Sequence, residues 1–214
     1  MVRLKNDTDG PDAGPAALSR NVGLLGRLVE RCCNEIRRKR FRDPLPIRVR
    51  RSEKANKKGI NAEAFANPGL AAAVVEIEID PVSMEPFVRG IWLVADGGKI
   101  LNERRARRVL RTGAIQALGW ACREMVYYEE GKIPLELYQG YDIIPPAEIP
   151  PIKVDFFWSD AAEPKGIGEL PFGCIPAAYL QAVSQAMDHP FEKIPLSVLE
   201  ILEAWKLKQS EGRQ

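Results

Sequence analysis

The amino-acid sequence predicts an α+β fold in which mixed or antiparallel strands pack against long helices. Three observations carry that expectation. Leu18, Val22, Leu25, Val29, Cys32 or Cys33 and Ile36 recur at spacings of three or four, one apolar stripe on a helix. Residues 71–79 and 86–95 have strand length and composition, and the stretch 80–85 between them suits a hairpin. After Asn102, small and apolar residues run on for the length of a second long helix. Strands paired as a hairpin and helices set apart from them read as α+β.

The elements follow in order. Residues 1–6 alternate weakly and suit a short strand, and residues 7–15 are rich in turn formers. Pro15 fits the first turn of the helix that carries the apolar stripe, where its missing N–H costs nothing. That helix runs into Arg37-Arg38-Lys39-Arg40, a favourable charge for a C-terminus. Residues 41–68 form an irregular connector with one short strand at 45–50. The two strands follow, the second closed by Asp96-Gly97-Gly98. Asn102 caps a helix over Arg105–Tyr127, whose glycines and alanines favour tight packing on a sheet. Prolines 134, 145, 146, 150 and 151 interrupt the next stretch. Ile152–Trp158 reads as a strand and 159–173 as a long loop; helices at 175–188 and 196–208 complete the chain.

Composition excludes several classes. With Lys+Arg 31 against Asp+Glu 29, the net charge of +2 lacks the basic excess of a dedicated nucleic-acid binder. The basic run from 37 to 58 has few interleaved aromatics for base stacking and reads as a solvated surface. A free-standing polyanion-binding module built on that run is the remaining alternative of this kind. No apolar run is long enough to span a membrane, and the first residues do not form a secretory signal, so the cytoplasm is the expected compartment. Four cysteines without a CxxC pair and a single histidine, His189, do not make a metal site; buried or half-buried thiols are expected.

Two loops offer chemistry. The loop at 7–19 leads into a helix N-terminus, whose unpaired N–H groups and dipole suit an oxyanion, with the Ser19 hydroxyl one turn in. A plain capped helix accounts for the same residues. In Lys165-Gly166-Ile167-Gly168-Glu169-Leu170-Pro171, the glycines allow positive φ and close approach of backbone to a ligand, and Glu169 is a candidate general base. A surface turn with a solvated carboxylate is the plain alternative.

Taken in order, Asp7 to Arg20, Ala72 to Gly97, Gly113-Ala-Ile-Gln-Ala-Leu-Gly119, Ile149 to Val154 and Lys165 to Pro171 resemble segments of one family. They resemble the C-terminal half of the molybdenum-binding subunits of xanthine dehydrogenases and aldehyde oxidases. The resemblance runs from about residue 2 to residue 203. It implies a single partial molybdopterin-binding domain over 1–208, with 41–68 a connector inside it and 209–214 a disordered tail. It makes Glu169 the catalytic base, places the Leu18 backbone beside the molybdenum, and makes Ser19 and Asn21 cofactor contacts, with Gly166 and Gly168 lining the same cofactor. No side chain of this chain is expected to ligate metal.

The resemblance further implies a component of a molybdopterin oxidoreductase that hydroxylates a purine, N-heterocycle or aldehyde with oxygen from water. Its molybdenum–molybdopterin is shared with a chain carrying the complementary half, because the family's upstream cofactor loops have no counterpart here. Iron–sulfur clusters and FAD belong to further partner subunits; neither nucleic acid nor a membrane is an expected partner. Two departures open an alternative. Leu18 stands where the family carries a small residue, and Val109 stands where it carries a glutamine. A degenerate relative, kept as a structural or assembly partner without turnover, also fits them.

Overall fold

The computed structural model describes residues 20–52, 68–157 and 163–211. They fall in two compact units, divided between Ala66 and Asn67. The strand expected at 1–6 and the loop at 7–15 lie outside the described residues.

In the first unit, helix α1 spans Arg20–Lys39 and ends, as the sequence predicts, on Arg37, Arg38 and Lys39. Its apolar stripe is only half covered: Leu25 and Val29 each remain 49% exposed. Part of the basic run is neutralised locally. Lys39 lies 3.5 Å from Glu35, and Arg51 reaches the same carboxylate at 3.1 Å. The strand expected at 45–50 does not form, and those residues are irregular. Pro44 and Pro46 bring no N–H to a ladder, which disfavours a strand there.

The second unit is built on a three-stranded mixed sheet in the order β1-β2-β3, where β1 is Leu70–Ile79, β2 is Pro86–Asp96 and β3 is Ile152–Phe156. β1 and β2 pair antiparallel through the expected hairpin. Asp80 sets that turn: its Oδ1 accepts the Val82 and Ser83 N–H groups, both at 2.8 Å. These two bonds hold the Asp80 carboxyl below the usual carboxylate range. β3 adds parallel to β2, so the connection between them must cross over, and helix α2 (Glu103–Cys122) lies within it.

β2 carries one residue more than β1 where the register slips between Glu76 and Ile77. Alternation changes phase at that bulge, and Gly90 and Ile91 are buried in succession. The slip keeps Val88 on one side of it and Ile91, Leu93 and Ala95 on the other turned to the same core. Helices α2 and α4 (Leu170–Met187) cover that face, where Leu110, Ile175, Tyr179 and Val183 are almost fully buried.

Three boundaries differ from the sequence expectation. α2 stops at Cys122, not Tyr127, because both Arg123 and Glu124 N–H groups turn back to the Gly119 carbonyl. The Glu124 carboxylate then lies over the bare Gly119 backbone, in the space a Cβ would take. α4 begins at Leu170, in what the sequence reads as loop, because Pro171 suits a first helical turn. α5 spans Val198–Glu211, so the tail expected from residue 209 is helical through residue 211. The proline-rich stretch also holds a short helix α3 at Leu135–Gly140 and a 3-10 turn at Pro146–Glu148. Among the described residues, no helix is long and apolar enough to cross a membrane.

Helix α5 opens on a reciprocal cap. The Ser197 N–H donates to Glu200 Oε2 at 2.9 Å, and the Glu200 N–H donates back to Ser197 Oγ at 3.3 Å. The Ser197 bonds lower the Glu200 carboxyl pKa, so this contribution is complete above the unfolded value and fades as pH falls through the folded one. Ser197→Ala should cost about 1 kcal/mol at neutral pH. The loss should shrink below about pH 4, near the ordinary Glu value. Urea unfolding of both proteins at the two pH values measures it.

Candidate functional site

The segment 163–169 is tied to the end of β2. The Lys165 N–H donates to the Gly97 carbonyl at 2.9 Å, and the Lys99 N–H donates to the Glu163 carbonyl at 3.1 Å. Between these bonds, Lys165 Nζ reaches Asp96 Oδ2 at 2.5 Å, with side-chain exposures of only 10% and 12%. The other oxygen of Asp96 accepts the Gly98 N–H at 2.9 Å. One carboxylate therefore fixes both the turn that ends β2 and the lysine that enters the loop.

Glycines on other elements let the segment come this close. A Cβ on Gly69 would lie 2.4 Å from the Gly166 carbonyl oxygen. A Cβ on Gly98, at φ +59, would lie 2.4 Å from the Glu163 carbonyl oxygen. On α2, a Cβ on Gly113 would lie 3.0 Å from Pro171 Cγ and 3.3 Å from the Gly168 carbonyl oxygen. Spacings under 3.0 Å are closed to any side chain without displacement of the chain. Gly166 and Gly168 themselves do not take positive φ; among the described glycines of the second unit, Gly98 and Gly131 do. The sequence thus places the conformational demand on the wrong glycines. The close approach seen here is of backbone to backbone.

Glu169 stands at the N-cap of α4, with φ −110 and ψ 2, and its side chain makes no capping bond. It is exposed. Its backbone is committed: the Glu169 carbonyl accepts the Phe172 N–H at 3.1 Å, and Leu170 donates to Ile167 at 3.3 Å. Pro171 supplies no N–H and is buried against Gly113. The start of α4 therefore presents a carboxylate and has little donor capacity left for an anion. One turn on, Gly173 is exposed, and a Cβ there would meet nothing within 4 Å. Trp120 of α2 packs beside it on Phe172, with ring centroids 6.2 Å apart. Val109, one turn before Gly113 on the same side of α2, is 44% exposed.

Of the candidate residues, Gly166, Gly168 and Glu169 come together on this one segment. Leu18 and Ser19 lie outside the described residues. Asn21 falls in the first turn of α1, in the first unit. The sequence does not reveal Asp96, Lys165, Gly69, Gly98 and Gly113 as one assembly. The only signals are an Asp-Gly-Gly at a strand end and a lysine ahead of Gly-x-Gly. Cys32, Cys122 and Cys174 are half-buried and Cys33 is exposed, all as free thiols. Burial pushes the Cys122 thiol up to about 11 and Cys174 upward, which keeps both protonated at neutral pH and poor as nucleophiles. Among the described residues, no cluster of His, Cys, Asp and Glu could hold a metal ion.

The model of the molybdopterin cofactor-binding domain matches residues 47–150. A probable xanthine dehydrogenase subunit of Bacillus subtilis is 28% identical over 139 residues, covering 63% of this chain and 19% of that protein. The nicotine 6-hydroxylase large subunit of Paenarthrobacter nicotinovorans is 32% identical over 136 residues, covering 61% of this chain and 16% of that one. Among solved structures, quinoline 2-oxidoreductase from Pseudomonas putida 86 superposes with a TM-score of 0.55 at 24% identity, over 61% of this chain and 18% of that one. Aldehyde oxidoreductase from Desulfovibrio gigas gives 0.53 at 24% identity, over 62% and 15%. These structural likenesses bear on the fold. The matched regions amount to less than a fifth of each of these relatives.

The ion pair at the loop entrance gives a test by paired substitution. Lys165→Met leaves the Asp96 carboxylate buried without its cation and should cost about 3 kcal/mol. Asp96→Asn in the same chain removes that charge while keeping an acceptor for Gly98, and should recover at least half of the loss. Urea midpoints of the two singles and the double give the coupling; simple additivity would contradict the pairing.

Proposed function

Because this chain carries part of the molybdopterin cofactor-binding domain of the large subunits of the xanthine dehydrogenase and aldehyde oxidoreductase family, we propose that it supplies the base-bearing loop of a molybdenum hydroxylase site that a partner chain completes. One observation carries the reading. Glu169 ends a loop pinned by a buried ion pair and by glycine contacts, and its residue is exposed to solvent. A general base must be held in place by its scaffold and still reach the reacting proton.

The described residues fit a pterin-held molybdenum as one wall of its site. Glu169 offers a carboxylate, and the bare backbone at Gly173 leaves room for a group to approach α4 beside it. The donors for the cofactor's phosphate belong elsewhere, since Leu170 and Phe172 N–H groups are already bonded and Pro171 has none. From the resemblance, the Leu18 backbone is proposed to lie beside the molybdenum and Ser19 and Asn21 to be nearby cofactor contacts, and Gly166 and Gly168 are the proposed contacts next to Glu169. Bound there, the molybdenum cofactor would accept the two electrons lost by the substrate carbon. Glu169 would take a proton from the water that supplies the oxygen as that water is activated, and the fixed loop would limit how far its carboxylate moves between turnovers. The substrate class is a purine, N-heterocycle or aldehyde. Electrons leave through iron–sulfur and flavin subunits of the same complex, in the cytoplasm.

The sheet supports the need for a partner. On the face away from α2 and α4, Leu70 and Val74 are each 64% exposed and Val94 is 44% exposed. Apolar surface of this kind is normally covered by protein. A second reading, a structural relative without turnover, is favoured by Val109. It lies beside the segment that packs on Gly113 and cannot hydrogen-bond a cofactor.

Glu169→Gln separates the two readings. In the complex reconstituted with its partner, the variant should lose at least about a hundredfold in turnover. Its molybdenum content should match that of the wild type. Unchanged turnover would take Glu169 out of the mechanism and favour the structural role.

A further inference from the structure

Helix α2 opens with a charge pattern that works against its own stability. Arg104, Arg105, Arg107, Arg108 and Arg111 crowd its first half, at the positive end of the helix dipole. Arg104 and Arg108, Arg107 and Arg111, and Arg108 and Arg111 are like-charged neighbours at spacings of four and three. The one acidic residue of the first turn, Glu103, is taken by Arg107 at 2.8 Å. Arg107 also reaches over the edge of β3 to Asp155 at 3.2 Å and lies 5.3 Å from the Phe156 ring centre. Arg104, Arg108 and Arg111 are exposed, and none of them forms an ion pair among the described residues.

These three arginines share the face of α2 turned away from the core residues Ala106, Leu110, Ala114 and Ala117. With the paired Glu103 and Arg107, and with Thr112 and Ile115, they line an open groove of about 720 Å³. Gly113, which meets the Glu169 segment, lies on another side of the helix, so this groove is separate from the site above. A local pattern that costs stability and is left uncompensated among the described residues points to a counter-charge beyond them.

We propose that this arginine stripe is a docking surface for an acidic helix of a partner subunit. Arg104 and Arg111 stand about 10 Å apart along the axis, at the 1.5 Å rise of a helix. Carboxylates spaced by four and three residues on a facing helix repeat the same interval. Arginine forks form bidentate pairs with carboxylates, and Thr112 and Ile115 add uncharged residues to the lining. The groove has no aromatic residue on which a base could stack, which favours protein over a nucleic-acid strand. Relatives are named as subunits, which supplies the setting for such a contact.

Calorimetric titration of the full chain tests the proposal with three probes. They are a helical peptide bearing glutamates at i, i+4 and i+7, its glutamine counterpart, and a mixed-sequence single-stranded DNA oligomer. The glutamate peptide should bind, the glutamine peptide should bind at least about tenfold more weakly, and added salt should weaken the first selectively. Arg104→Glu/Arg108→Glu/Arg111→Glu should lose the peptide by a similar factor, while its melting temperature stays level or rises, because acids now stand at the dipole's positive end. If that triple variant does not fold, Arg104→Gln/Arg108→Gln serves in its place. Equal binding of the two peptides, tighter binding of the DNA than of the glutamate peptide, or full peptide binding by the variant would each overturn the proposal.

Discussion

The Asp96–Lys165 ion pair joins two parts of the chain that the sequence keeps 69 residues apart. A carboxylate at the end of β2 and a lysine at the head of the Glu169 segment meet where little water reaches either. Pairs of this kind gain little over an apolar contact of the same shape, but breaking one leaves a charge that the interior cannot solvate. Asp96 also holds the Gly98 N–H, so the same group closes the strand and positions the loop.

The rest of the second unit sets up that meeting. The bulge in β2 keeps its inward residues on one core through the change of register, which lets a full-length strand carry Asp96 to the proper end. α2 and α4 cover the core, and Pro171 at the start of α4 seats on Gly113 of α2. Gly69 and Gly98 then admit the loop at distances no Cβ tolerates, and Gly113 at distances where a Cβ would be crowded. Glu169 is placed by all of these contacts together, through its backbone. Its side chain remains at the surface.

Periodicity made the helices and the hairpin legible. The stripe on α1, the alternation in β1 and the cap at Asn102 depend only on neighbours a few residues away. Asn102 does accept the Arg105 N–H, at 2.9 Å. Misread boundaries came from contacts of another kind. α2 ends early because Glu124 folds over Gly119, and α4 begins early on Pro171, whose packing partner is 58 positions away on α2. Order along the chain, more than any one motif, carried the family resemblance. The glycine contacts and the buried ion pair were not legible, because a glycine's neighbour across the fold leaves no mark in its own local sequence. Leu18 and Ser19, whose cofactor contacts rest on the resemblance, lie outside the described residues.

The proposed function makes the Glu169 loop one wall of a shared site, and the matched region is less than a fifth of each of these relatives. Molybdenum content measured together with native mass, on the chain isolated from its own source with partners attached, is the most direct test. Molybdenum in a complex with a larger chain is the expected result. A metal-free chain of its own mass, with no partner, would contradict a shared site and remove the grounds for calling this polypeptide part of an enzyme.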